Sequence, residues 1–261
     1  MKKIVLVLSL LSASTSLFAD RELCRRNMDK INNDGKTTID VFLGFYDNTP
    51  TTHVSNFGHY AAIERRLTRP CQKSKLCGFK KTTYPGQFIR ILNTSAGKRA
   101  VIVNVHNSAR VQEGSASHPG QKALSAFNES LFEHKLRNGE VVFYLGHSRY
   151  GGGPDFYPAK TRGDHVDKAF YQRQKAGVRV LTESLTGSSV DIYGSFSCDS
   201  LRYFTAPVKS AQPSITLFGT TRVPTSIENR NVFFSALTNV IYGTCDFDED
   251  MRTNNLPGRM K

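Results

Sequence analysis

After its first few residues this chain has no apolar run near the roughly 18 consecutive residues that a membrane-spanning helix needs, so no later segment is expected to cross a bilayer. It has no internal repeat, no low-complexity tract and no linker-like stretch, which argues against solenoids and strings of domains. Acidic residues are the minority sign, 22 Asp and Glu against 35 Lys and Arg, for a net charge of +13. The basic residues are scattered (Arg25-Arg26, Arg65-Arg66, Lys80-Lys81) and are not interleaved with aromatics as in RNA-binding motifs, so nucleic acid is not an expected partner. Asn32-Asn33-Asp34-Gly35 is not a calcium loop. With Gly35 at the sixth position, the first and twelfth fall on Lys30 and Val41, where carboxylates are required. His147, Asp155, His165 and Cys198 have zinc-ligand chemistry but none of the tight spacing of zinc motifs. No metal or cofactor is implied.

What is present begins with an export signal over residues 1–19. Lys2 and Lys3 form a positive start, Ile4 to Leu11 an apolar core, and Leu17-Phe18-Ala19 a cleavage site before Asp20. The mature chain is then expected to be exported, to the periplasm or beyond. Its remaining residues, about 240, suit one domain, residues 20–261, with an irregular N-terminal extension. All five cysteines lie in this part, in a compartment where disulfides persist. Cys71 and Cys77 flank a short basic loop and are expected to bridge locally; Cys24 and Cys245 can clip the two ends together. Connectivity does not follow from sequence alone. An odd thiol is left, and Cys198 is the one in a core-strand context.

The pattern of elements alternates. Asn32–Gly35 suggests a hairpin turn. Strands are expected at 39–46, 88–92, 100–105, 141–146, 190–194 and 214–219, and helices at 56–67, 122–136, 165–185 and 227–242. Leu124, Phe127, Leu131 and Leu136 are expected to form the buried face of the second helix, and 107–120 an exposed loop. Strands alternating with helices predict an α/β three-layer sandwich with a mostly parallel central sheet.

Two of these strands end in reactive side chains. Val141-Val142-Phe143-Tyr144-Leu145-Gly146 delivers His147, and Val190-Asp191-Ile192-Tyr193-Gly194 leads to Cys198. Parallel strands followed by short loops place catalytic groups at the carboxyl edge of a sheet. A thiol is only a few per cent ionised at neutral pH, so an adjacent imidazole is what makes it a nucleophile. Gly146-His147-Ser148-Arg149-Tyr150-Gly151 looks like a serine nucleophile elbow with one residue too many, and the glycines that follow are poor helix material. His106, at the carboxyl end of another strand, is a candidate for capping that strand edge, for the cleft wall or for a direct catalytic role.

The two blocks, Val-Val-Phe-Tyr-Leu-Gly-His147-Ser148 and Val-Asp-Ile-Tyr-Gly-Ser-Phe-Ser197-Cys198, resemble those of the caspase-like cysteine peptidases, which include gingipain-, clostripain- and legumain-type enzymes. The spacing of 51 residues matches the spacing of about 50, histidine upstream, found in caspases. The resemblance implies a caspase-like fold, Cys198 as nucleophile and His147 as general acid and base. It also implies an oxyanion site from the backbone N–H groups of Cys198 and Ser148. Ser148 stands where the family has glycine, and Ser197 where it has alanine. Gly151 and Gly152 would frame the cleft, and Asp155, Asp164 and Asp199 are candidates for a pocket that takes a basic side chain. The implied activity is an exported cysteine peptidase or transpeptidase acting on a protein or peptide substrate. The alternative is a non-catalytic basic domain of the same fold that binds an anionic cell-envelope surface.

Overall fold

The computed structural model describes residues 19–46, 56–72, 74–95 and 97–261. The expected export signal lies, but for Ala19, outside them. Eight strands form one sheet: β1 (Lys36–Leu43), β2 (Lys80–Lys81), β3 (Gln87–Thr94), β4 (Gly97–Asn107), β5 (Val141–Leu145), β8 (Ile192–Phe196), β9 (Thr216–Thr220) and β10 (Gly258–Met260). Their order is β10-β9-β8-β5-β1-β4-β3-β2. The inner pairs β4–β1, β1–β5, β5–β8 and β8–β9 are parallel, and the edge strands join antiparallel. Every residue of β5, β8 and β9 is buried. A strand covered on both faces has no solvent side to mark with polar residues, which is why these segments show no apolar–polar alternation.

Alternate residues face two helical layers. Ile39, Val41 and Leu43 of β1, with Val141, Phe143 and Leu145 of β5, pack with helices α1 (residues 19–32), α2 (Asn56–Thr68), α7 (Ser226–Tyr242) and α8 (Phe247–Thr253). Phe42, Val142, Tyr144, Tyr193 and Leu217 pack with α3 (Gln121–Asn138), α5 (Ala176–Leu185) and α6 (Ser200–Ala211). The expected α/β architecture, a mostly parallel sheet between helices, is therefore present.

Five local expectations are corrected. The N-terminal extension is helical over 19–32: Cys24, Met28 and Ile31 recur at helical spacing and are all buried. Asn27 fastens the helix by donating to the Asp191 and Ser214 carbonyls, each at 2.9 Å. The turn at Asn33–Gly35 consequently joins α1 to β1 and is not a hairpin. Residues 107–120 are partly internal, with Ser108, Ala109 and Ser115 buried, and Gln121 Nε2 donates to Ser108 O at 2.6 Å. α3 thus presents Gln121, Ser125, Asn128, Phe132 and Leu136 inward, while Phe127 is 62 % exposed. Its first half packs on a polar loop, so small polar residues occupy the face that leucines were expected to fill. The segment 165–185 is not one helix. A small hairpin of β6 (Thr161–Arg162) and β7 (His165–Val166) precedes α4 (Lys168–Gln174), and Lys175, at φ 45°, breaks α4 from α5.

Cys24–Cys245 and Cys71–Cys77 are disulfides, as the positional reading anticipated, and Cys198 is a free thiol. No helix among the described residues is long and apolar enough to cross a membrane.

Candidate active site

The parallel strands occur along the chain as β1, β4, β5, β8, β9, yet β4 lies on one side of β1 and β5 on the other. The direction of strand addition therefore reverses at β1–β5. In open parallel sheets the crevice at such a reversal, outside the carboxyl ends, is where ligands bind. β1, β5 and β8 end there in Gly44-Phe45-Tyr46, Gly146-His147 and Ser197-Cys198.

The register brings two of the expected residues to one level. Leu145 pairs with Phe196 at the end of the β5–β8 ladder, and the Gly146 N–H extends it to Phe196 O at 3.2 Å. His147 and Cys198 each follow two residues after a member of that last pair, on neighbouring strands spaced about 4.8 Å apart. Tyr46 is the third party: its ring centroid lies 5.1 Å from that of His147, and burial raises its phenol well above the ordinary tyrosine range, which an ionised Cys198 would raise further.

Tyr144 shapes the turn before His147. Its fully buried ring fills the space above Gly44 and Gly146; a Cβ on either glycine would come within 2.4 Å of the phenol oxygen. The hydroxyl lies 3.1 Å from His147 O and accepts from the Asp155 N–H at 3.0 Å. The glycine preceding His147 thus has a packing cause. Ser148 follows, buried and in right-handed helical backbone geometry, φ −76°. Among the described residues neither the Ser148 nor the Cys198 amide donates to another backbone carbonyl.

The chain then takes an uncommon path: Arg149 and Tyr150, both with side chains, have φ of 46° and 55°. Consecutive left-handed residues persist only where surroundings over-determine them, and such backbone clusters at functional sites. Here the surroundings are explicit. Arg149 Nε donates to Asp155 Oδ2 at 2.9 Å and Nη2 to Phe45 O at 3.1 Å. Tyr171 Oη donates to the same Asp155 oxygen at 3.2 Å, and Asp155 Oδ1 accepts from the Tyr157 N–H at 3.0 Å.

This geometry gives three expected cleft residues packing or hydrogen-bond partners. Asp155 holds Arg149 and so anchors the loop. Gly151 and Gly152 are buried against Tyr203 and Tyr171. Gly153, at φ 110°, approaches Gly177 so closely that a Cβ would sit 2.2 Å from its carbonyl carbon. The glycines serve close packing of the loop on α5 and α6, and Gly151 also reaches the wall of a hollow on the loop's outer side. The outer side of the loop, with Tyr150, Arg202 and Tyr203, borders a hollow of about 570 Å³.

Cys198 sits in a strand–turn–helix corner between β8 and α6. Hydroxyls brace both sides of the turn: Ser200 Oγ donates to Ser195 O at 2.6 Å, the Thr220 N–H donates to Ser200 Oγ at 2.8 Å, and Thr220 Oγ1 donates to Ser197 O. Asp199, at φ 51°, turns the chain and donates its N–H to Arg222 O at 3.2 Å. Partial burial pushes the Cys198 thiol up from its ordinary value, and the Asp199 carboxylate pushes it further. The thiol is therefore neutral at pH 7. It needs a base at the moment of attack and does not rest as a thiolate.

Four neighbours were not singled out from the sequence. His59 of α2 is fully buried, stacks on Tyr46 at 4.5 Å, and among the described residues neither ring nitrogen has a hydrogen-bond partner. Burial, with help from the charges of Arg230 and His147, brings its pKa down to about 3, so it is neutral. Asn229 of α7 donates to Phe196 O at 2.9 Å, and its side chain also meets the buried Tyr46 hydroxyl. Arg230 follows it. These residues come from distant helices, and only Asn56, which opens α2 and accepts from the Tyr46 N–H at 2.8 Å, hints at the link.

Other candidates lie elsewhere. His106 Nε2 is 3.0 Å from Asp40 Oδ1, and Lys135 Nζ is 3.2 Å from Asp40 Oδ2, a buried carboxylate cluster inside the sheet–α3 layer. Asp164 and His165 are exposed on the β6–β7 hairpin. No group of side chains able to hold a metal occurs among the described residues. No protein-family model, curated protein or solved structure matches the chain.

Proposed function

We propose that the protein is an exported cysteine peptidase or transpeptidase of caspase-like type, with Cys198 as nucleophile and His147 as general acid and base. The observation that carries this reading is the shared level of the two residues on adjacent parallel strands, beside the sheet's reversal point. The order helix, histidine strand, helix, cysteine strand agrees with it, and two disulfides suit an oxidising compartment.

In the first step His147 takes the thiol proton as sulfur attacks a peptide carbonyl, and a carbon–sulfur bond forms. The amide N–H groups of Cys198 and Ser148 face the developing oxyanion, each well-placed donor contributing about 3 kcal/mol. The carbon–nitrogen bond then breaks, and His147 returns the proton to the leaving amine. Water or a second amine attacks the thioester, releases the acyl group and restores the thiol. Water gives hydrolysis and an amine gives transpeptidation. Because the resting thiol is neutral, His147 is essential to the first step.

The competing reading is a non-catalytic basic domain for an anionic envelope surface. It is favoured by the same raised thiol and by Ser148 in place of glycine. The two are separated by incubating the chain with a mixed peptide library, with and without an added amine, and reading the products by mass spectrometry. Peptidase chemistry gives new termini, or amine adducts, that vanish in Cys198→Ala and in His147→Ala. An unchanged library at stoichiometric enzyme overturns the proposal.

A further inference from the structure

The basic loop closed by Cys71–Cys77 takes no part in the chemistry above, yet it borders one of the larger hollows of the molecule. Arg66 in the last turn of α2, Arg69 just beyond it and Lys75 of the loop line a pocket of about 680 Å³ with no carboxylate among the described residues of its wall. None of the three is in an ion pair among the described residues. Arg66 Nε is shut off from solvent with no hydrogen-bond partner among the described residues, its guanidinium lying 5.4 Å from the centroid of the Phe234 ring. A buried donor of this kind costs stability unless something accepts from it.

The ordinary explanation for cations at a helix C-terminus is that they satisfy its last carbonyls. Here backbone groups do that: the Gly78 N–H donates to Arg69 O at 2.9 Å and the Phe79 N–H to Leu67 O at 3.0 Å. The loop is also held in place. Arg90 Nη1 donates to Lys75 O at 3.0 Å and to Cys77 O at 2.9 Å, and Tyr242 Oη donates to Lys75 O at 2.9 Å. Three positive charges are thereby kept together against their own repulsion. Burial and the Arg69 charge hold the Arg66 guanidinium below its usual range.

We propose that this pocket is an anion-binding site for a phosphoryl or diphosphoryl group, carried on a soluble phosphate compound or on a phosphorylated envelope headgroup. Guanidinium forks and one ammonium are the side chains that recognise phosphate oxygens. The site is separate from the Cys198 corner, about 15 Å along α2 from His59, and does not depend on the peptidase reading.

The test is titration calorimetry of the full chain with inorganic pyrophosphate in about 150 mM salt, where diffuse surface attraction is screened. One-to-one saturable binding is expected. Arg69→Gln with Lys75→Gln weakens it at least about tenfold, and Arg25→Gln with Arg26→Gln, an equal charge change on α1, leaves it within about twofold. No saturable binding, or equal weakening by both pairs, overturns the proposal. Sedimentation with phosphatidylglycerol vesicles identifies the source. Retention that pyrophosphate displaces indicates a headgroup; pyrophosphate binding without retention indicates a soluble ligand. Should the pocket variant not fold, phenylglyoxal labelling of Arg69 in the unaltered chain decides. Pyrophosphate is expected to slow it severalfold, and an unchanged rate contradicts the site.

Discussion

His59 makes stability fall in mild acid, and the size of the effect follows from its surroundings. The ring is fully buried, neither nitrogen is hydrogen-bonded among the described residues, and Arg230, with His147 once it is protonated, adds positive charge nearby. Its pKa in the folded chain is brought down to about 3, against about 6.5 in the unfolded chain. Between those values the unfolded state holds a proton that the folded state refuses, so stability rises with pH and is lost as pH falls below 6.5. The slope approaches about 1.4 kcal/mol per pH unit, giving a loss of about 2 kcal/mol from pH 7 to pH 5. With a urea dependence of about 2.5 kcal/mol per molar, the midpoint moves down by about 0.8 M from this group alone. His59→Phe keeps the stack on Tyr46 and removes the titration, so its midpoint should fall correspondingly less between the same two pH values. At pH 7 the variant should be no less stable, since two unpaired nitrogens are gone. Parallel losses in both proteins between pH 7 and pH 5 would refute the reasoning.

Two more outcomes bear on what holds the site. Asp155→Ala strips the nearly buried Arg149 guanidinium, whose side chain is 3 % exposed, of its carboxylate. The expected cost is about 4 kcal/mol, read by denaturant unfolding, with Asp164→Ala on the exposed hairpin within about 0.5 kcal/mol of the parent. Replacing both partners, Arg149→Met with Asp155→Leu, should recover part of that loss; a double variant worse than Asp155→Ala would contradict it. Cys24→Ser with Cys245→Ser opens a link spanning 221 residues and should lower stability by about 3–5 kcal/mol, measured the same way, while leaving Cys198 the only free thiol.

The parts of the fold that sequence made legible are those where one physical cause dominates. β5, β8 and β9 stand out because burial on both faces admits only apolar or small residues. The disulfides follow from two cysteines near opposite termini and two flanking a short loop. Helix α1 was missed because its buried stripe of Cys24, Met28 and Ile31 is diluted by the charged residues of its exposed side. The expected face of α3 failed for the opposite reason: its N-terminal half meets a polar loop, and Phe127 is left outside. The strand ends carrying His147 and Cys198 were visible, but the surroundings that set their chemistry were not. Tyr46, His59 and Asn229 reach the site from separate elements, and no local pattern marks that meeting. The glycines after His147 were legible as poor helix material, while what they pack against, Gly177 and Tyr203, lies far along the chain.

The claim on which the functional account rests is that the His147 imidazole ionises the Cys198 sulfur. Cys198 is the free cysteine among two disulfides, so the rate of its alkylation by iodoacetamide, followed from pH 5 to pH 9, reads that one thiol. The account predicts ready stoichiometric labelling near neutral pH and a loss of at least about tenfold in His147→Ala, restored only toward alkaline pH, where a thiol raised by burial and Asp199 ionises unaided. Superimposable profiles for the two proteins, or a Cys198 that resists the reagent throughout, would contradict it.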